Sequence, residues 1–249
     1  MFESIIQIEN LTKQYPGAKD LALRGLSLSV NKGEFFGLLG PNGSGKTTTI
    51  SILCGLVQPT SGHISVAGHK IPGHLNAIKP LIGLVPQDIA LYPTLTFVEN
   101  LRFFGRLYGL PGKLLRQRIE QCIEIAGLNN FATKMVKTYS GGMKRRANLA
   151  AGLLHQPQII FLDEPTVNVD PQSRNVIFDI LQTINQNGTT IIYTTHYLEE
   201  AQQFCHRVAI IDQGKVICQD TPQHLIQQNV GSRDLGEVFL NLTGKQLRD

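Results

Sequence analysis

A glycine-rich loop at residues 40–47, with the sequence GPNGSGKT, constrains this chain more than any other feature. It fits the pattern G-x-x-x-x-G-K-[ST], follows the apolar run 35–39 and precedes a helical segment. Glycines let backbone N–H groups point at phosphate oxygens, and the N-terminus of the next helix adds its positive dipole end. The sequence therefore predicts a strand–loop–helix unit that binds the phosphates of a nucleotide.

Two side chains of this loop supply charge and a metal ligand. Lys46 provides a positive charge for the β- and γ-phosphates, and the Thr47 hydroxyl is a hard oxygen ligand for Mg²⁺. A phosphate loop alone is equally typical of kinases, GTPases and ATPases, so other residues have to decide between them. The candidate nucleotide-binding residues here are Gly40, Pro41, Asn42, Gly43, Ser44, Gly45, Lys46, Thr47 and Thr48.

An acidic pair follows a second apolar run. Residues 159–162 are Ile-Ile-Phe-Leu, and Asp163 and Glu164 come next. A buried parallel strand presents such residues at its carboxyl end, where ligands bind in open α/β sheets. We expect Asp163 to hold Mg²⁺, directly or through water, and Glu164 to polarise a water for attack on the γ-phosphorus. Phosphoryl transfer needs positioning and charge stabilisation more than covalent chemistry, so this division is sensible.

Two more polar side chains follow apolar strands. His196 comes after the run 191–194, and Gln87 comes after the short strand at 84–85. As a donor, His196 is expected to hold the γ-phosphate and orient the water. The Gln87 amide is expected to reach Mg²⁺ or the same water. Both are candidate catalytic residues, together with Glu164 and Lys46.

A second anion site is predicted at Ser140, Gly141 and Gly142, which open a helix. A serine and two glycines at a helix N-terminus suit phosphate oxygens. One chain rarely needs two phosphate cradles for one nucleotide. If each cradle belongs to a different subunit, two copies clamp the same ATP, which predicts a nucleotide-dependent dimer with two equivalent sites.

Strands and helices alternate at both ends of the chain, which predicts a mostly parallel sheet with helices on its faces. In the middle, Thr96 and Glu99 form a capping box and residues 113–126 have helical apolar spacing. We expect one domain over 1–249. Its parts are an ATP-binding core with a β subdomain (1–86 and 156–220), a helical subdomain (87–155), and a last helix from Thr221-Pro222 with a tail (221–249).

Composition excludes several classes of protein. The net charge is +4 and no run approaches ~18 apolar residues, so we expect neither disorder nor a membrane span. The start of the chain does not look like a secretory signal. Four cysteines without metal spacing indicate a reducing, cytosolic compartment. The basic clusters 144–146 and 116–118 lack interleaved aromatics, so we interpret them as solvated surface and expect no nucleic-acid partner.

The chain resembles the nucleotide-binding subunit of ABC transporters along nearly all of its length. The resemblance implies an α/β P-loop NTPase fold with a mostly parallel core sheet, an N-terminal antiparallel β subdomain and an inserted α-helical subdomain. The family's motifs occur in order: the adenine-stacking aromatic Tyr15, the phosphate loop 40–47, the Q-loop residue Gln87, the signature Ser140-Gly141-Gly142, the acidic pair Asp163 and Glu164, the D-loop ending at Asp170, and the switch histidine His196.

The same resemblance implies specific roles and partners. Ser140 and Gly142 contact the γ-phosphate of ATP held by the other subunit, and Glu164 is the general base. The helical block docks on integral-membrane permease subunits, at the cytoplasmic face of the inner membrane. The second ATPase subunit is another copy of this chain or a homologue. ATP and Mg²⁺ are the expected ligands, and the expected activity is ATP hydrolysis coupled to transport.

The chain departs from the common family pattern at two motifs. The signature has Tyr139 and Met143 where Leu and Gln are usual, and the D-loop 167–170 is Val-Asn-Val-Asp instead of Ser-Ala-Leu-Asp. The runs around residues 139–146 and 169–174, and the tail at 238–244, resemble the bacterial ABC-2 branch. Subunits of that branch serve exporters of drugs, polysaccharides or similar cargo.

Three other classes of protein are weighed against this one. A soluble ABC-type ATPase acting on a ribosome or on DNA usually has two tandem cassettes or a long coiled-coil insertion, and this chain has one cassette without sustained heptads. A GTPase would have a guanine-specific N-K-x-D motif, but Asn31-Lys32 is followed by Gly33-Glu34. A P-loop kinase has no use for a signature that acts in the other subunit.

Overall fold

The computed structural model describes residues 3–244 of the chain. The chain divides into two compact units, which we call unit 1 (Met1–Lys79 with Thr190–Asp249) and unit 2 (Pro80–Thr189). Across residues 3–244, we find no helix that combines the length and the apolar character needed to cross a membrane. The end of the predicted C-terminal tail, 245–249, lies outside the described residues.

Residues 3–244 form ten strands and nine α-helices. The strands are β1 (Ser4–Gln14), β2 (Leu21–Asn31), β3 (Phe35–Leu39), β4 (Ser61–Val66), β5 (His69–Ile71), β6 (Ile82–Val85), β7 (Ile159–Asp163), β8 (Thr190–Thr195), β9 (Arg207–Asp212) and β10 (Lys215–Asp220). The helices are α1 (Lys46–Leu53), α2 (Leu75–Ile78), α3 (Phe97–Leu107), α4 (Gly112–Ile125), α5 (Gly141–Leu153), α6 (Pro171–Gln186), α7 (Leu198–Phe204), α8 (Pro222–Gln228) and α9 (Leu235–Thr243).

Unit 1 contains an antiparallel sheet with the strand order β2-β1-β4-β5. Along β1, Ile6 and Ile8 are buried and the intervening Gln7 is exposed. In β2, Leu26 and Leu28 are buried in the same alternating manner. This period of two places one face of each strand in the core, as expected for a half-buried antiparallel sheet. The predicted N-terminal antiparallel β subdomain is confirmed.

Unit 1 also contains parallel strands. The fully buried β3 pairs in parallel with β8 on one side and with β9 on the other. Strand β10 pairs with β9 as an antiparallel hairpin. The two residues of its turn, Gln213 and Gly214, have φ of 47° and 75°. Two positive φ angles are typical of the tight hairpin turns whose twist matches the flanking strands, and the predicted hairpin is confirmed.

Unit 2 contains the helical block between two parallel strands, β6 and β7. Helices α3, α4 and α5 pack around an apolar core that includes Phe97, Leu101, Leu115, Ile119, Val136 and Leu154. The predicted capping box opens α3, since Thr96 Oγ1 accepts from Glu99 N at 3.2 Å and Glu99 accepts from Thr96 N at 2.8 Å. The predicted helical block 87–155 lies inside unit 2, which also holds β6, β7 and α6. The α/β fold class is confirmed.

The prediction that the helix at Thr221-Pro222 is the last one is wrong. Helix α9 follows it, with Asp234 as N-cap accepting from Glu237 N at 2.9 Å. Leu235, Val238 and Phe239 are buried at helical spacing, so α9 is held by packing on one face. An Asp followed three residues later by Glu is a helix-start signal that was present in the sequence.

Candidate active site

The phosphate loop lies in unit 1, between the end of β3 and the start of α1. Gly43 and Gly45 have φ of 80° and 110°, a backbone region that residues with a Cβ rarely adopt. A Cβ at Gly40 would overlap the carbonyl oxygen of Ile211. The loop conformation therefore requires glycine at all three positions, and the predicted strand–loop–helix unit is present.

Lys46 is only 6% exposed, and its Nζ donates to the carbonyl oxygens of Gly40 at 2.7 Å and Pro41 at 3.3 Å. Ser44 Oγ is buried and has no hydrogen-bond partner among the described residues. An unsatisfied buried hydroxyl costs about 1–3 kcal/mol, and a phosphate oxygen would accept a hydrogen bond from it. A buried cation beside an unsatisfied donor fits the binding of a nucleotide phosphate.

The hairpin turn between β9 and β10 is hydrogen-bonded to the phosphate loop. Gly214 N donates to the carbonyl of Ser44 at 2.9 Å, and Arg24 N donates to the carbonyl of Gly214 at 2.8 Å. A Cβ at Gly45 would meet Leu23 Cδ2 at 2.6 Å. These bonds join the loop to both sheets of unit 1, so its backbone donors are fixed before any ligand binds.

Tyr15 lies in the loop after β1, where its hydroxyl is 3.3 Å from Thr48 Oγ1. Lys13 Nζ lies 5.0 Å from the centre of the Tyr15 ring. The ring is exposed. The predicted adenine-stacking residue is thus linked to the start of α1, the helix that follows the phosphate loop.

His196 and the phosphate loop follow paired strands at the same edge of the sheet. Leu39, the last residue of β3, is paired in parallel with Thr195, the last residue of β8. The next residues are Gly40 and His196, so both sites leave the sheet at its carboxyl edge. His196 therefore lies directly after the end of a strand, as predicted.

A buried carboxylate that sequence reasoning missed positions this strand end. Glu200 Oε2 accepts from Tyr193 OH at 2.6 Å and from Thr195 Oγ1 at 3.2 Å. Thr195 Oγ1 in turn accepts from Tyr197 N at 2.9 Å. The backbone on both sides of His196 is therefore fixed. In the sequence Glu200 has no distinguishing signal, because acidic residues are common in the first turn of a helix.

In unit 2 the acidic pair and Gln87 also leave parallel strands at one edge. Val85, which ends β6, is paired with Leu162, and Asp163 ends β7. Asp163 and Glu164 are 6% and 7% exposed, and Glu164 has a φ of 49°. A non-glycine residue in this left-handed region is uncommon and is enriched at active sites.

Ser140 is the N-cap of α5, and its Oγ accepts from Met143 N at 3.2 Å. Asp170 is the N-cap of α6, and its Oδ1 accepts from Ser173 N at 2.9 Å. This bond to the backbone, with that from the Ser173 hydroxyl, holds the pKa of Asp170 below its ordinary value. The two helix starts are in contact, since a Cβ at Gly142 would lie 2.5 Å from Ser173 Cβ and 3.2 Å from Asp170 Oδ2.

This contact predicts that alanine is costly at one of the two signature glycines and not at the other. We expect Gly142→Ala to destabilise the fold by roughly 1–3 kcal/mol, because the added methyl overlaps α6. Gly141→Ala is the matched control, since nothing lies within 4 Å of its Cβ position. Urea unfolding of the two variants checks this. Equal midpoints for Gly142→Ala and the parent would show that α6 gives way without cost.

The interpretation of residues 144–146 as solvated surface is wrong for both arginines. Arg145 donates to the carbonyl oxygens of Gln87 and Val167, the latter at 3.4 Å. Arg146 Nη1 donates to the carbonyl of Ala126, the C-cap of α4, at 2.5 Å. The guanidinium groups turn inward because helix ends and loops leave carbonyls unsatisfied.

Each unit thus assembles part of the predicted site. Unit 1 brings together the phosphate loop, Tyr15, Thr48 and His196, and unit 2 brings together Gln87, the signature, the acidic pair and Asp170. A phosphate loop after a buried strand, with a strand that ends in Asp-Glu, defines a P-loop nucleoside triphosphatase.

The comparisons with known proteins agree. Residues 23–167 match the family model described as ABC transporter. The chain is 47% identical over 239 residues to the linearmycin resistance ATP-binding protein LnrL of Bacillus subtilis, covering 96% of this chain and 75% of that protein. It is 41% identical to the Nod factor export ATP-binding protein I of Ralstonia nicotianae, covering 94% and 72%.

Solved structures show the same fold. An ATP-binding subunit of an ABC transporter superposes with a TM-score of 0.86 at 26% identity, covering 96% of this chain and 99% of that one. A dimeric ATP-binding cassette in a post-hydrolysis state with ADP and Pi has a TM-score of 0.78 at 30% identity, covering 87% and 98%.

The chain therefore belongs to the ABC transporter family, as an ATP-binding subunit that hydrolyses ATP. Subunits of this family form dimers and act with a membrane partner. The predictions of family, fold and enzymatic activity are confirmed.

Proposed function

We propose that this chain drives export by a separate membrane permease, through ATP hydrolysis at two equivalent sites in a dimer. The main support for this proposal is the phosphate loop, where a buried Lys46 and the buried, unsatisfied hydroxyl of Ser44 suit a nucleotide phosphate. The relatives named for linearmycin resistance and Nod factor export support an export role. The cargo class we propose is a drug, a polysaccharide or a similar compound.

Within one chain, the contacts to adenine and to the phosphates are assigned to unit 1. Lys46 and the backbone N–H groups of residues 42–48 hold the phosphates, and adenine stacks on the Tyr15 ring face opposite Lys13. Thr47, Gln87 and Asp163 offer hydroxyl, amide and carboxylate oxygens, a donor set that fits Mg²⁺. When bound, the ion supplies neutralisation of the phosphate charge.

Hydrolysis is assigned to Glu164, Gln87 and His196. Glu164 accepts a proton from the attacking water as general base. His196 donates a hydrogen bond to the γ-phosphate, and Gln87 orients the water. Lys46 stabilises the negative charge that the phosphate oxygens carry in the transition state.

The second subunit completes each site in this proposal. Ser140, Gly141 and Gly142 of one subunit contact the γ-phosphate bound by the other, through the free N–H groups at the start of α5. Asp170 lies beside Gly142 and contributes at the same dimer contact. Either two copies of this chain or this chain and a homologue form the dimer.

The permease docks, in this proposal, on the exposed side of α3. That side has a shallow concavity lined by Glu99, Arg102, Phe103, Arg106 and Leu107. Phe103 packs edge-on against Tyr92 and Phe104, with ring centres 5.0 and 5.4 Å apart. Leu107 is 69% exposed. An apolar patch rimmed by charges is typical of a protein interaction site, and it would hold the chain at the cytoplasmic face of the inner membrane.

An affinity pull-down from detergent-solubilised membranes of the native host tests this function. We expect a multi-span membrane protein to co-purify with the tagged parent chain, and to be lost in Leu107→Asp. Val230→Asp is the control, since Val230 is 97% exposed and lies in unit 1. Ribosomal proteins or nucleic acid without a membrane partner would instead support a soluble ATPase.

A further inference from the structure

One half-buried guanidinium in unit 2 joins three segments that carry proposed site residues. Arg145 lies on α5, five residues after Ser140, or about 7.5 Å along the helix. Its Nη1 donates to the carbonyl of Gln87 and its Nη2 to the carbonyl of Val167 at 3.4 Å. The signature helix, the Q-loop and the D-loop therefore meet at this side chain.

The Q-loop has a second attachment to the same helix. Asn148, one turn after Arg145 and 4% exposed, accepts from Ala90 N at 3.1 Å and donates to the carbonyl of Pro86 at 3.4 Å. The backbone around Gln87 is thus fixed to α5 at residues 86, 87 and 90. Arg145 differs from Asn148 because it also holds the D-loop.

The D-loop carbonyl that Arg145 holds belongs to a strained turn. Glu164 and Asn168, on either side of Val167, have φ of 49° and 58°. Residues with a Cβ persist in this conformation only where their surroundings impose it. Within the turn, Val167 N donates to the carbonyl of Glu164 at 3.3 Å. The hydrogen bond from Arg145 to Val167 therefore restrains the same turn that orients Glu164.

We propose that Arg145 is a positioning residue for hydrolysis, which ties the backbone of Glu164 to the signature helix. A nucleotide that engages Ser140 and Gly142 then sets the orientation of Glu164 in the same chain. This inference rests on the proposed function, because it requires the ATP-dependent dimer. Arginine suits the role because its planar fork spans two carbonyls, whereas lysine offers one compact ammonium group.

Steady-state kinetics of the full chain with its permease tests the proposal. We expect kcat to fall roughly tenfold to a hundredfold in Arg145→Met, and less in Arg145→Lys, which keeps one donor. The KM for ATP should stay within about twofold, because the phosphate loop is untouched. Lys144→Met is the control, since it removes a neighbouring charge on the same helix without touching either loop carbonyl.

ATP-driven dimerisation separates this proposal from the proposed function. In a Glu164→Gln background, Arg145→Lys should dimerise with ATP as its background does, because Arg145 is assigned to hydrolysis and not to binding. The proposal is overturned if both Arg145 variants have the same kcat as the parent chain. The proposal is also overturned if Arg145→Lys has a lower kcat, a higher KM for ATP and a lower melting temperature together. It is overturned as well if Lys144→Met loses as much kcat as the Arg145 variants do. No ATP-driven dimer in the Glu164→Gln background itself refutes the proposed function instead.

Discussion

Glu164→Gln will bind ATP but hydrolyse it at least ~10²-fold more slowly than the parent chain. Glutamine keeps the size and hydrogen-bonding capacity of this 7%-exposed side chain, so the strand end is not left with a cavity. What it loses is the ability to accept a proton from water. Without that step, ATP remains intact in the proposed site, and the dimer that closes around it does not reopen.

Two measurements check this prediction. Phosphate release with saturating ATP and Mg²⁺ gives the rate, and analytical ultracentrifugation with ATP gives the fraction of dimer. Glu199→Gln is the matched control, because Glu199 is an exposed carboxylate on α7. Hydrolysis at the parent rate by Glu164→Gln would show that another group is the base.

The parts of the site that the sequence predicted are those with short-range causes. The phosphate loop is one continuous segment whose glycines are required by its own φ angles. The acidic pair is marked by the apolar strand before it, which β7 confirms with five buried residues. The capping box at Thr96 and Glu99 needs three residues of spacing and no tertiary contact.

The parts that the sequence did not predict have distant partners. Arg145 donates to the carbonyls of Gln87 and Val167, which are 58 and 22 positions away along the chain. Nothing within its own helix indicates either contact. Backbone carbonyls carry no side-chain identity, so a sequence pattern cannot mark them as partners. Glu200 is similar, because its partner Tyr193 belongs to the strand before its helix and faces it only after folding.

Gly142 combines both kinds of cause. Its place at a helix start predicted an anion site from local sequence. Its close approach to Ser173 and Asp170 is a packing requirement that only the structure reveals. The same glycine is thus needed for the fold and proposed for the nucleotide, which is why its variant is best tested by stability as well as by activity.

Lys46→Met will lose ATP affinity by a factor of roughly 10², or about 3 kcal/mol, which is the order expected for a charge-assisted hydrogen bond in a buried site. Methionine keeps most of the apolar stem of Lys46, which is 6% exposed, so no cavity is left where that stem packs. The ammonium group that held the Gly40 and Pro41 carbonyls in the loop is gone. The melting temperature therefore has to be measured beside the affinity.

The pattern across nucleotides tests where Lys46 acts. Because its charge is assigned to the β- and γ-phosphates, affinity should fall more for ATP than for ADP, and little for AMP. Isothermal titration calorimetry gives the three dissociation constants, and Lys32→Met, at an exposed lysine of unit 1, is the control. Normal ATP binding by a folded Lys46→Met variant, or equal losses for all three nucleotides, would contradict this assignment, since only a charge that meets the terminal phosphates discriminates by their number.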